Sequence, residues 1–157
     1  MDDVLTWAEL TARLSSPLLA EGYTTADGEG RCLLVALGSG TDSTPLVQPA
    51  LPVIGIGDPK AEAPGVVDLI VTEEDVPVAA AAVAANPIAA TVMVQLLRHN
   101  EHASVRDGLL AESLAYSALQ HGAEFERWLA GRHPKAQEED PGPAVLTSRT
   151  DATLHIT

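Results

Sequence analysis

The chain has 157 residues and a net charge of −13, with 46% hydrophobic residues but only 3% aromatics. That is the length of about one domain, with one core burying roughly two-thirds of the extended-chain surface. So acidic a chain repels nucleic-acid backbones and anionic membrane surfaces, though local basic residues could still meet the phosphates of a small ligand. Alanine, valine and leucine dominate the apolar set, and small side chains bury little area each. The expected stability is therefore modest, or shared with a partner surface.

Thr6 and Glu9 form a capping-box pair ahead of a short helix over Leu5–Leu14. Trp7, Leu10 and Leu14 fall at spacings of three and four, one apolar stripe, and Pro17 closes the helix. Residues Glu21–Gly30 are polar and glycine-containing, a loop or hairpin arm. Asp2 and Asp3 carry the wrong charge for a signal or transit peptide, and no stretch is long and apolar enough to cross a membrane. The single cysteine, Cys32, lies in an apolar run and reads as a buried strand thiol. A lone cysteine forms no internal disulfide, which fits a reducing, cytoplasmic setting.

Three strand candidates follow: Cys32–Leu37, Leu51–Ile56 and Val66–Val71, the last carrying Asp68. Their apolarity is continuous rather than alternating, as in parallel strands covered on both faces. The Gly38–Ala50 connection is only just long enough for a parallel crossover and shows no helical period.

The helical part begins near Glu73, where three acidic residues suit a helix N-terminus. Val76–Ala85 follows, with Pro77 in its first turn. Asn86-Pro87 then restarts the helix, since asparagine caps and proline fits the first position. Ile88, Thr91, Val92, Gln95 and Leu96 share one face, with Met93 and Leu97 beside it, and His99-Asn100 mark the end. Ser104 and Asp107 open a second long helix. Its stripe is Val105, Leu109, Glu112, Tyr116 and Leu119, widened by Leu110, Leu114 and Ala118. Gly122 suits its end, and a last turn or two holds Phe125, Trp128 and Leu129. Residues 134–143 are a proline-rich acidic linker. The tail AVLTSRTDATLHIT reads as strand, turn at Thr150-Asp151 and strand, the opening of a further domain over residues 144–157 that is cut short.

Chemistry-bearing groups are sparse. Gly38–Thr44 could cradle a phosphate after a strand, but it lacks a Walker lysine and a following helix, and a flexible loop is the plainer reading. His99 and His102 are three apart without a surrounding ligand set, so no metal site is assigned. No serine–histidine–aspartate arrangement stands out. Glu112 interrupts an apolar stripe and, if buried, needs a partner such as Tyr116 or an arginine.

The strand Gly65-Val66-Val67-Asp68-Leu69-Ile70-Val71 and the break Ala85-Asn86-Pro87-Ile88-Ala89 resemble the "G-L-V-D-x-V-V" and "A-N-P-x-A" segments of the crotonase (enoyl-CoA hydratase/isomerase) superfamily. Glu112, Glu124-Phe125 and Arg132-His133-Pro134 stand where that family has a helical glutamate, an "E-F/E-G" turn and a terminal "R-x-P". Leu51-Pro52-Val53-Ile54-Gly55 echoes the strand "K-P-V-I-A-A", and Thr153–Thr157 is similar to a first crotonase strand. The resemblance covers under half the chain well. The family's two backbone-donor oxyanion loops, "A-G-A-D-L"-like and "G-G-G"-like, have no counterpart here. Glu73 and Glu74, adjacent on a solvated helix start, do not make its paired catalytic glutamates.

The expected fold is thus α/β, a small, mostly parallel sheet of about three strands covered by two or three helices. This crotonase-like half spans residues 1–133, followed by the linker and strand pair. The resemblance implies part of an enoyl-CoA hydratase/isomerase-like protein acting on acyl-CoA thioesters, this segment being non-catalytic by itself. It implies no catalytic residue here. Coenzyme A (CoA) would enter only as part of the substrate, with Phe125, Trp128 and Arg132 near its adenine and phosphates. It further implies a homo-oligomer, or packing on a downstream domain. The alternatives are a structural or oligomerisation domain with no small-molecule ligand, and a small α/β enzyme built on the Gly38–Thr44 loop.

Overall fold

The structure, a computed structural model, describes residues 4–15, 32–38, 41, 46–132 and 145–156. Pro17, the Glu21–Gly30 loop, most of the Gly38–Thr44 loop and the 134–143 linker lie outside the described residues.

Helix α1 spans Trp7–Leu14. The Glu9 amide donates to Thr6 Oγ1 at 3.3 Å, and the Thr6 amide donates back to Glu9 Oε2 at 2.8 Å, closing the expected capping box. Just before it, Leu5 runs extended beside strand β1 (Leu33–Ala36). The Leu5 amide donates to Leu34 O, and the Ala36 amide donates to Leu5 O, both at 2.8 Å. The edge of β1 is thereby covered by the chain's own N-terminal segment.

Strands β1, β2 (Val53–Ile56) and β3 (Leu69–Val71) form a parallel sheet in that order. Leu33 pairs with Val53 and Ile54 with Leu69. Alternate residues serve opposite layers. Leu33, Val35 and Val53 pack with Trp7, Leu10 and Leu14 of α1. Cys32, Leu34, Ile54 and Val71 pack against Val76, Ala79, Ala80 and Val83 on the other side. Both faces are covered, the physical reason for the unbroken apolarity of these runs. Gly55 is needed for this packing: a Cβ there would lie 2.7 Å from Leu37 Cδ1 and 3.1 Å from Val67 Cγ1. The third strand is shorter than the Val66–Val71 reading. Val66 and Val67 bury into the α1-side core, and at Asp68 the backbone amide donates to Val53 O at 2.9 Å while the carboxylate Oδ2 accepts from the Val53 amide.

A 3-10 turn at Glu73–Asp75 leads into α2 (Val76–Ala85), then α3 (Pro87–Asn100), α4 (Val105–Gln120) and α5 (Ala123–Ala130). The Asp107 amide donates to Ser104 Oγ at 3.2 Å, capping α4. The buried side of α3 is Val94 and Arg98, not the Ile88–Leu96 face. On α4 the expected stripe is not the packed face either. Gly108 is buried and Ala111, Ala115 and Leu119 are half-buried, whereas Val105, Leu109, Glu112 and Tyr116 are exposed. The two helices touch through small residues: Gly108 lies so close to Asn100 that a Cβ would sit 3.0 Å from its Oδ1.

No single helix among the described residues is long and apolar enough to cross a membrane. Residues Glu73–Ala85 and Pro87–Asn100 pass that test only as a pair, bent by 103°. Strands β4 (Thr147–Thr150) and β5 (Thr153–Ile156) form an exposed antiparallel hairpin turning at Asp151, which adopts φ 54°. Aspartate tolerates that left-handed backbone through its short polar side chain.

Candidate functional site

The helices and sheet enclose an open cleft of about 1020 Å³. Its floor is Ile54, Val67 and Leu69 of the sheet side, and its walls include Ala79 and Val83 of α2, and Met93 and Leu97 of α3. Tyr116 and Leu119 of α4 and Phe125 and Trp128 of α5 complete it. Of the expected α4 stripe, exposed Tyr116 and half-buried Leu119 line the cleft.

Two polar pins shape the walls. Arg98, only 8% exposed, donates from Nε to Asp68 Oδ1 at 2.8 Å and from Nη2 to Asp68 Oδ2 at 2.6 Å. Its Nη2 also donates to Leu51 O at 3.3 Å, and its Nη1 to Pro49 O. Asp68 Oδ2 in turn accepts from the Val53 amide at 2.7 Å. Gln95 adds a donation to Ala50 O at 3.0 Å. Helix α3 is thus bolted to the chain entering β2 and β3 by a bidentate charged pair whose remaining donors meet carbonyls, the condition under which a buried ion pair is tolerated.

The second pin is Glu124, 9% exposed, whose two oxygens accept from the Ile88 and Ala89 amides at 2.9 Å each. A carboxylate there satisfies orphan N–H groups and opposes the positive end of the helix dipole. Both oxygens are committed to backbone donors, so Glu124 is not placed as a general base. Asn86 stands at the N-cap position of α3 as the sequence predicts, but makes no side-chain cap bond.

The three residues expected near a ligand come together. Phe125 and Trp128 stack with centroids 5.5 Å apart and planes at 23°. The Arg132 guanidinium lies over the Trp128 ring, its Cζ 4.5 Å from the centroid. Phe125 and Trp128 line the cleft, while Arg132 sits behind the tryptophan and does not line it. Glu112 is exposed and needs no buried partner. Sequence reasoning missed Arg98 and Glu124 as the polar anchors; an arginine four residues after Val94 on a helix otherwise facing the sheet was the available signal.

Among the described residues no group of three or more His, Cys, Asp or Glu is placed to hold a metal ion, and no buried side-chain polar atom lacks a partner. The cleft brings apolar surface together with an aromatic–arginine stack; it assembles no nucleophile with a base. Comparison with protein-family models, curated proteins and solved structures found no match.

Proposed function

We propose that this chain is a non-catalytic α/β module of a crotonase-like, enoyl-CoA hydratase/isomerase-type protein acting on acyl-CoA thioesters, and that its cleft receives the acyl chain. The single observation behind the reading is the cleft itself: apolar walls, a volume at the upper end of small-molecule sites, and Phe125, Trp128 and Arg132 stacked at one side. The aromatic–arginine stack offers the adenine a face and a phosphate one cation. The sequence resemblance supplies the thioester class.

Titration of the 157-residue chain with saturated acyl-CoAs of increasing length tests this. Affinity should rise about fourfold per added methylene, the equivalent of roughly 0.8 kcal/mol each, with no hydration of an enoyl-CoA. Arg132→Glu should weaken acyl-CoA binding more than binding of the free fatty acid. Affinity independent of chain length, or none at all, would reject the reading.

A second reading, an assembly module that pairs with another copy of itself, is favoured by one specific observation. Ile88, Met93, Leu97, Val105, Leu109, Leu110, Leu114, Tyr116, Trp128 and Leu129 are all roughly half or more exposed on α3, α4 and α5. At roughly 100 Å² each they present on the order of 1,000 Å², above the ~800 Å² per partner of a standard interface. A charge of −13 on each copy opposes pairing, so sedimentation should show a dimer that tightens as salt rises and ignores acyl-CoA.

A further inference from the structure

We infer that α5 is a hinged lid along one side of the open cleft, held in place because the Glu124 carboxylate occupies the two α3 amides, one of which Asn86 would otherwise cap.

The amides at the start of α3 can be accounted for completely. Pro87, the first helical residue, has no N–H. The Ala90 amide donates to Asn86 O at 3.0 Å. That leaves the Ile88 and Ala89 amides, the second and third helical positions, one of which an N-cap asparagine side chain ordinarily satisfies. Glu124 takes both. Asn86 is left with φ −140° and ψ 62° and no side-chain cap bond, short of the extended ψ that Thr6 and Ser104 adopt at 160° and 156° where they do cap. The same donors therefore have two side chains that can serve them: Glu124 on the lid takes both, and Asn86 at the α2–α3 hinge can take one. Two arrangements in which the helix start keeps a side-chain cap make a two-state element, weighted toward the one in which Glu124 serves both amides.

The lid is built to move. Helix α5 is joined to α4 through His121 and Gly122, the glycine extended at φ −96° and ψ 156° and offering the helix no side-chain cap. Apart from Glu124 and half-buried Phe125, every residue of α5 is exposed. Its inner side supplies Glu124, Phe125 and Trp128 to the cleft wall. Swinging α5 out breaks two charge-assisted hydrogen bonds and uncovers the Phe125–Trp128 side of the cleft. A rotation about ψ of Asn86 then returns a cap to α3, lowering the cost of the open state. The inference regulates the cleft of the proposed function and rests on that reading for what the lid admits; the hinge itself is tested without any ligand.

The experiment compares the 157-residue wild type with Glu124→Gln, Glu124→Ala, Asn86→Ala and the Glu124→Ala/Asn86→Ala double variant. Amide hydrogen exchange is measured by NMR and uptake of the neutral probe N-phenyl-1-naphthylamine by stopped-flow fluorescence. Glu124→Ala should speed exchange of α5 amides by about tenfold or more and hasten probe entry. In that variant the Ile88 and Ala89 amides should keep part of their protection, and adding Asn86→Ala should remove it. Asn86→Ala alone should change neither. Glu124→Gln keeps an acceptor and should fall between, which preserves the test if the alanine variant does not fold by circular dichroism. Wild-type exchange of α5 in the glutamate variants, or an Asn86→Ala change that is silent in the Glu124→Ala background, overturns the inference. If α5 exchange responds but the probe never binds, the hinge stands and the cleft's role as an apolar-chain site falls.

Discussion

The α1-to-sheet half and the α3-to-α5 half of this molecule are held together by different physics. In the first, Leu10, Leu14, Val35 and Val53 are fully buried in one apolar cluster. In the second, α4 buries only Gly108 and α5 only Glu124, and the large apolar side chains stay at the surface. Two polar pins do the holding there: Arg98–Asp68 and Glu124 on the α3 amides. The contrast teaches that the helical half is positioned with little of its apolar surface, chiefly Val94 of α3, and the rest remains available to a ligand or another copy.

The comparison breaks most sharply at Arg98. Replacing it with alanine leaves Asp68 as an uncompensated, largely buried carboxylate and should cost about 3–5 kcal/mol in urea unfolding; an Asp68→Asn/Arg98→Met double variant should recover part of that. A loss under 1 kcal/mol for the single variant would show that α3 is not pinned by charge. Next, Leu10→Ala should cost about 2–5 kcal/mol by the same measurement, whereas Leu114→Ala should stay within roughly 0.5 kcal/mol of wild type. Equal losses would erase the distinction between the halves. Gly55→Ala should cost about 1–3 kcal/mol, because the added methyl meets Leu37 and Val67 in the packed half, and Gly122→Ala in the loose half should cost less. The smallest effect lies at Glu9. Its backbone and side-chain hydrogen bonds with Thr6 hold its carboxyl below its ordinary value of 4.5. A depressed folded value means the contribution is complete above about pH 4.5 and fades as pH falls through the lowered value. Thr6→Ala should therefore narrow the stability difference between wild type and Glu9→Gln, measured by thermal unfolding at neutral pH.

Local signals located the elements well. The Thr6–Glu9 box, the Asn86-Pro87 break, the Ser104–Asp107 cap and the three apolar runs each carry their information within a few residues, because caps and strand apolarity are short-range physics. Which helix face packs was not legible. Alanine on α2 and mixed apolar residues around α4 leave several stripes equally apolar, so periodicity selected Val105–Tyr116 where the contact runs through Gly108, Ala111 and Ala115.

The sequence by itself determined an acidic α/β chain, its parallel strands and the gathering of Phe125, Trp128 and Arg132 at one helix end, since those three lie within two helical turns of one another. Only the tertiary structure decided that Arg98 meets Asp68 across thirty residues, and that Glu124 rather than Asn86 serves the α3 amides. Such partners are chosen by which surfaces the packed helices bring within hydrogen-bond distance, and nothing in the local spacing of either residue encodes that choice.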